Sequence, residues 1–282
     1  MLENPLAPPG QDSQALGLFL RHFGLASERT APHAKLLGAV ARAFSRLPYE
    51  NLTKIIKHAR EKSPERSRRG PLEVVREHIA RGAGGTCFSL TAAFLHLVRA
   101  LGFEAEPILA DRRYGANTHC ALVVWLDGAP HLLDPGYLIV EPIPLGGGGE
   151  TRLRTAFNEL ALVPRLGDAV DLHTVERGRC THRLTFKAAP ADPGEFLRAW
   201  DASFSWDMMR YPLLTRVVGE SHVYLQGAYL QVRRRDGVER QDVDRETLAA
   251  RAAREFGIDR ALAAKALEVL ARNGELHAGA RA

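Results

Sequence analysis

Cys87 follows Gly84-Gly85-Thr86 directly and opens an apolar stretch, Phe88 to Leu101, in which Leu90, Phe94, Leu97, Val98 and Leu101 recur at helical spacing. A free thiol, with a pKa of about 8.5, is a poor nucleophile at neutral pH, so a working cysteine needs a feature that stabilises its thiolate. A helix N-terminus supplies partial positive charge and unused backbone N–H groups. Adjacent glycines allow close approach of backbone and substrate, and a histidine within hydrogen-bond reach would take the proton. His119 is the histidine whose position can be worked out, because it lies in a strand running toward Asp127-Gly128. If those two residues form the turn, Asp134 lies opposite Ala121. Residues 119 and 121 share a face, so Asp134 becomes a diagonal neighbour of His119. A carboxylate there would orient the imidazole and favour its charged form, which completes a Cys87, His119, Asp134 triad. Pro130 is the residue that would disturb this register if it lengthened the loop.

Other groupings carry less chemistry. Cys87, Cys120, His119 and His131 could be assembled as zinc ligands, but no pair has CxxC or HxxxH spacing, and no metal is expected. Cys120 follows His119 and should point to the opposite face of the sheet. No GxSxG segment supports a serine hydrolase. The Gly146 to Gly149 run is expected to be a flexible loop. Without a following Lys-Ser or Lys-Thr it is not a phosphate-binding P-loop.

The elements that must position these residues follow from periodicity. Residues 12–60 carry apolar clusters at helical spacing, and Pro71 opens a further helix through Val74, Val75 and Ile79. From Phe103 to about Phe186 the pattern changes to short alternating or β-branched runs, which predicts antiparallel sheet, with strands at 103–109, 118–126 and 131–134. The last third predicts a helix around Phe196 to Met209, two strands near 223–234 leading to a turn at Asp236-Gly237, and a helical tail from 245. Helices, then a sheet or barrel, then a smaller mixed region make an α+β protein.

The chain has 282 residues, enough for one large domain or roughly two to three small ones. Its net charge of +5 would suit an anionic partner. The arginines are mostly scattered, however, and the two dense runs, Arg66 to Arg69 and Arg233 to Arg235, look like a loop and a strand end. No zinc-finger or RNA-recognition pattern accompanies them, so no nucleic acid is expected as partner. Three cysteines are too few for a disulfide framework and suit a reducing compartment. With no long apolar run and no secretory pattern at the N-terminus, the expectation is a cytoplasmic protein with no membrane association.

At the triad residues the sequence resembles the arylamine N-acetyltransferases. Leu47-Pro-Tyr-Glu-Asn-Leu52 is similar to that family's P-F-E-N-L segment, Gly84-Gly-Thr-Cys87 to its G-G-x-C, and Leu133-Asp-Pro-Gly-Tyr137 to its D-V-G-F. Asp236-Gly237, Leu248 and Phe256-Gly-Ile258 are similar to its third region. The resemblance implies three parts: a helical bundle over 1–87, a β-barrel over 88–190 and an α/β lid over 191–282. It also implies double displacement, in which Cys87 takes an acetyl group from acetyl-CoA and passes it to a small-molecule amine, an arylamine or hydrazine. It assigns no CoA contacts. The chain departs from the family's R-G-G-x-C-x-E-x-N: Ala83 stands for the arginine, Ser89 for the glutamate and Thr91 for the asparagine, with Arg81 two residues too early. Joint loss of the arginine and glutamate is what a paired function predicts, since one left alone and buried would be costly. Pro135 and Leu138 also differ in the segment after Asp134.

These departures leave alternatives open. The ansamycin amide synthases share this fold and use larger or carrier-bound acyl thioesters. A transglutaminase-like cysteine hydrolase would use the same triad with water as acceptor, and a binding protein would keep the fold without catalysis.

Overall fold

The structure is a computed structural model, and it describes residues 4–10, 12–26, 33–145, 148–155, 157–176 and 178–275. Gly146 and Gly147 of the glycine run lie outside the described residues. Helices α1 (Gln14–His22), α2 (His33–Phe44), α3 (Leu52–Glu61), α4 (Pro64–Ser67) and α5 (Pro71–Arg81) precede α6 (Cys87–Ala100). Their starts are local chemistry: the Ser13 hydroxyl accepts from the Leu16 N–H, and Pro71 takes the first turn of α5, where its missing N–H costs nothing.

Helix α6 is apolar all round and accordingly buried, with its residues from Cys87 to Leu95 all inside. Its flank packs against α1 and α5 on one side and against strands β2 (Ala105–Arg112) and β3 (Gly115–Leu126) on the other. Phe88, Leu90 and Leu97 are essentially inaccessible to solvent. Each contributes about 1.5–3 kcal/mol by leaving water, so packing holds the start of α6 far more firmly than helix propensity would.

An eight-stranded antiparallel sheet occupies the centre in the order β5-β4-β3-β2-β9-β8-β7-β6, a nearly closed, barrel-like sheet. It adds β4 (Ala129–Asp134), β5 (Ile139–Pro144), β6 (Thr151–Arg154), β7 (Glu159–Arg165), β8 (Ala169–Glu176) and β9 (Arg179–Lys187). Its interior is filled by Ile108, Ala121, Val123, Leu132, Leu172 and Phe186, among others. The strands predicted at 103–109, 118–126 and 131–134 are present with shifted ends. Asp127 and Gly128 both have positive φ, as a two-residue type I′ turn requires. Leu126 pairs with Ala129, Trp125 with Pro130 and Leu122 with Leu133, so Pro130 sits in the ladder and does not lengthen the loop.

The predicted helix at Phe196 to Met209 is shorter than expected. Helix α7 (Pro193–Ala202) ends in two 3₁₀ turns, Ser203–Ser205 and Asp207–Arg210. The two strands expected near 223–234 are part of four: β10 (Leu213–Val218), β11 (Ser221–Gln226), β12 (Tyr229–Arg233) and β13 (Val238–Asp242), followed by α8 (Leu248–Phe256) and α9 (Arg260–Arg272). A fifth strand comes from far upstream, since β1 (Tyr49–Glu50) pairs with β10. The segment just before α3 thus shares a sheet with the C-terminal third. No described helix is long and apolar enough to cross a membrane.

Candidate active site

Two sequence motifs meet beneath Cys87. Glu50 N–H donates to Gly85 C=O at 2.9 Å and Gly85 N–H to Pro48 C=O at 3.3 Å, which ties Pro48-Tyr49-Glu50-Asn51 to the glycine segment. A Cβ on Gly84 would fall 1.7 Å from Pro48 O, so only glycine permits this approach. Asn51 holds the far side, donating to Met208 and Tyr211 carbonyls and accepting the Leu213 N–H. Thr86 caps α6 without a side-chain hydrogen bond, so the first-turn N–H groups beside Cys87 have no side-chain cap.

The second half of the site comes from the β3–β4 hairpin. His119 Nε2 and Asp134 Oδ2 are 2.6 Å apart and both side chains are fully buried. The other carboxylate oxygen of Asp134 accepts the Tyr137 N–H at 2.8 Å, which fixes the carboxylate plane. Cys87 lies beside the same ring, close enough to favour its charged form. The structure therefore brings Cys87, His119 and Asp134 together as the sequence predicted. Gly136 lies against all three: a Cβ there would come within 3.0 Å of His119 Cε1, 3.2 Å of Cys87 Cβ and 3.3 Å of Asp134 Oδ1.

The electrostatics follow from burial and pairing. Burial alone would push the His119 imidazole down, but the Asp134 carboxylate and the bond to Cys87 raise it to about 9. The Cys87 thiol is held well below its ordinary value by a hydrogen bond from Cys120, against the opposing effect of burial, and by the bond and positive charge of His119. A thiolate facing an imidazolium is the result.

Several contributing residues escaped the sequence reading. Cys120 does lie on the opposite strand face from His119, but α6 packs on that face. Its thiol sits 3.4 Å from Thr91 Oγ1 and reaches Cys87 from the other side. Arg112, brought in by a bulge in β2 between residues 110 and 112, places its guanidinium 3.1 Å from His119 Nδ1. Its only signal was membership of an Arg-Arg pair in a turn-prone segment.

Arg69 corrects the reading of Arg66 to Arg69 as a plain basic loop. Arg66 belongs to α4, and Arg69 is 3% exposed. Its guanidinium donates to Gly84 C=O and Thr53 Oγ1, pairs with Glu77 at 2.7 Å and lies 3.7 Å from Glu50. Glu50 in turn accepts from the Thr53 N–H and hydroxyl. An arginine thus braces the loop before Cys87 from position 69, while Ala83 packs into an apolar cluster with Phe256 and Ile258. Ser89 has turned its hydroxyl onto Thr86 C=O. Glu50 thus has a buried cation beside it although positions 83 and 89 carry Ala and Ser.

Among the described residues no group of three or more His, Cys, Asp or Glu side chains is placed to hold a metal ion. A family model for N-acetyltransferases matches residues 34–265. Among curated proteins, the proansamycin X synthase of Amycolatopsis mediterranei (strain S699) is 33% identical over 88 residues, which cover 28% of this chain and 34% of that protein. The match thus spans about a third of that relative's length. The structure of the arylamine N-acetyltransferase from Mycobacterium abscessus superposes with a TM-score of 0.77 at 19% identity, covering 94% of this chain and 99% of that one. The Mycobacterium marinum arylamine N-acetyltransferase in complex with CoA gives 0.71 at 20% identity, covering 90% and 99%.

Proposed function

Since the chain belongs to the arylamine N-acetyltransferase family and is therefore an enzyme of the transferase class, we propose that it moves an acetyl group from acetyl-CoA to an arylamine or hydrazine through a Cys87 thioester. The observation that carries this reading is the buried imidazole of His119, held by Asp134 through Nε2 and lying beside Cys87, which favours its charged form.

In the first half-reaction the Cys87 thiolate attacks the thioester carbonyl carbon. The carbonyl oxygen gathers negative charge within range of the first-turn N–H groups of α6. The C–S bond to CoA then breaks, and the CoA sulfur takes the Nδ1 proton of His119. In the second half-reaction the amine attacks the acyl-enzyme carbonyl, neutral His119 takes the amine proton on Nδ1, and the Cys87 sulfur leaves as thiolate. Asp134 keeps the imidazole in one orientation and offsets its charge in the protonated state. The mycobacterial relative solved with CoA supports the donor class, and the family model supports acetyl as the group moved.

A second reading, amide formation from a larger or carrier-bound acyl thioester, is favoured by the likeness to proansamycin X synthase and by the altered residues Ala83, Ser89 and Thr91. Intact-mass spectrometry after mixing with acetyl-CoA separates the two. A gain of one acetyl group that Cys87→Ala lacks is the expected result. No gain from acetyl-CoA while Cys87 still alkylates rapidly would transfer support to the second reading.

A further inference from the structure

Beside His119 lies a cation that the acetyl-transfer steps do not use. The Arg112 guanidinium donates to the Tyr114 hydroxyl at 2.8 Å and lies 3.1 Å from His119 Nδ1, and no carboxylate among the described residues pairs with it. The nearest acidic groups are engaged. Asp134 is bound by His119 and the Tyr137 N–H. Asp111 accepts the Asn117 N–H at 2.8 Å and lies 3.3 Å from Lys187. A guanidinium presents five N–H donors in a planar fork that matches a carboxylate, so a phenol and an imidazole leave most of that capacity unmet.

The position of Arg112 bears directly on the chemistry. Once His119 has passed its proton to the CoA sulfur, Nδ1 carries one lone pair, and in the second half-reaction that lone pair must take the proton of the attacking amine. While Arg112 donates to it, it cannot. The Cys87 thiolate is within electrostatic reach of Arg112 in the resting enzyme, and acylation removes that negative charge. Tyr49, Tyr137 and Tyr224 also lie within reach of the guanidinium, but burial raises each phenol and keeps it neutral, so none balances the charge.

We propose that Arg112 is a specificity-determining residue that binds a carboxylate on the substrate, and that pairing with this carboxylate draws the guanidinium off His119 Nδ1 and frees it for proton transfer. The phosphates of CoA are not the partner, because the whole pantetheine arm separates them from the reacting thioester. The carboxylate belongs either to the acceptor amine or to the acyl group. This inference deepens the acyl-transfer reading and rests on Cys87 and His119 being the reacting pair.

Protection of Cys87 from iodoacetamide reads the site without any acyl transfer. In the wild-type protein benzoate should half-protect at a concentration at least about tenfold below that of benzamide, its neutral isostere, as one charge-assisted pair implies. Arg112→Gln should abolish the difference and Arg112→Lys should retain part of it. Equal protection by the two ligands in wild type, or a benzoate advantage that survives in Arg112→Gln, overturns the proposal. If Arg112→Gln does not fold, the wild-type comparison and Arg112→Lys still decide it. Transfer assays then locate the carboxylate. Faster turnover of 4-aminobenzoate than of 4-aminobenzamide with acetyl-CoA places it on the acceptor, and faster acylation of Cys87 by succinyl-CoA than by acetyl-CoA places it on the acyl group. Parity in both arms overturns the specificity role. Loss of all acylation with benzoate protection retained would overturn acyl transfer and leave the anion site standing.

Discussion

His119 Nε2 stands 2.6 Å from Asp134 Oδ2, with both side chains sealed from solvent at adjacent strands of one hairpin. Asp134→Asn keeps the size of the side chain and removes the charge that raises the imidazole. Turnover with any acceptor should fall by about 10³–10⁴, as for other triads that lose the orienting carboxylate. Unchanged turnover in a folded Asp134→Asn variant would remove Asp134 from the mechanism.

Gly136 is the second residue on which the geometry depends. A methyl group there would press on His119, Cys87 and Asp134 at once. Gly136→Ala should therefore slow both Cys87 alkylation and turnover by roughly 10²-fold, the scale expected when catalytic groups are displaced by about an ångström. Thermal stability should change much less, since the neighbouring core is untouched. Full activity in this variant would mean that the triad tolerates rearrangement.

Arg69 links Glu50, Thr53, Glu77 and the carbonyl of Gly84. Arg69→Met would leave Glu50 buried without a cation and should destabilise the protein by roughly 3–5 kcal/mol, readable in urea unfolding. Arg69→Lys should recover only part of this, because a lysine cannot make the forked contacts. A loss under about 1 kcal/mol would show that the network is dispensable.

The pH dependence of Cys87 alkylation tests the ion pair. Because Cys87 is held well below the ordinary thiol range, the rate should already be at its plateau at neutral pH, with its acid limb well under the ~8.5 of a free cysteine. His119→Asn removes one of the groups that lower it and should move the limb upward. A limb at the free-thiol value in wild type would rule out the thiolate–imidazolium pair.

Lys54 is buried against Ser203 and Phe204 with no carboxylate among its bonded partners, and burial pushes its ammonium down to about 7. A lysine depressed in the folded state costs stability while both states are charged, and the cost disappears as pH rises from about 7 to about 10.4, where the unfolded side chain also loses its proton. The stability of wild type minus that of Lys54→Met should therefore rise over that window, by a few kcal/mol at most. A difference independent of pH would mean that Lys54 is no more strained than an exposed lysine.

Helix α6 was legible from its unbroken apolar run behind two glycines, and the hairpin from Asp127-Gly128 between alternating residues. Those two local facts were enough to put Cys87 at a helix start and to set Asp134 diagonal to His119, because turn geometry and strand alternation act over a few residues. The extra strands of the C-terminal sheet were not legible, since β1 is two residues long and becomes a strand only by pairing with β10. Packing of α6 on the sheet likewise put Cys120 within reach of Cys87, and a bulge turned Arg112 onto His119. Arg69 braces a loop that its sequence neighbourhood gave no reason to connect with it. Each of these depends on elements distant in the chain meeting in one core, which residue spacing does not encode. The sequence by itself thus determined that Cys87, His119 and Asp134 would meet, because helix starts and hairpin register are local, and only the tertiary structure decided which charges surround them.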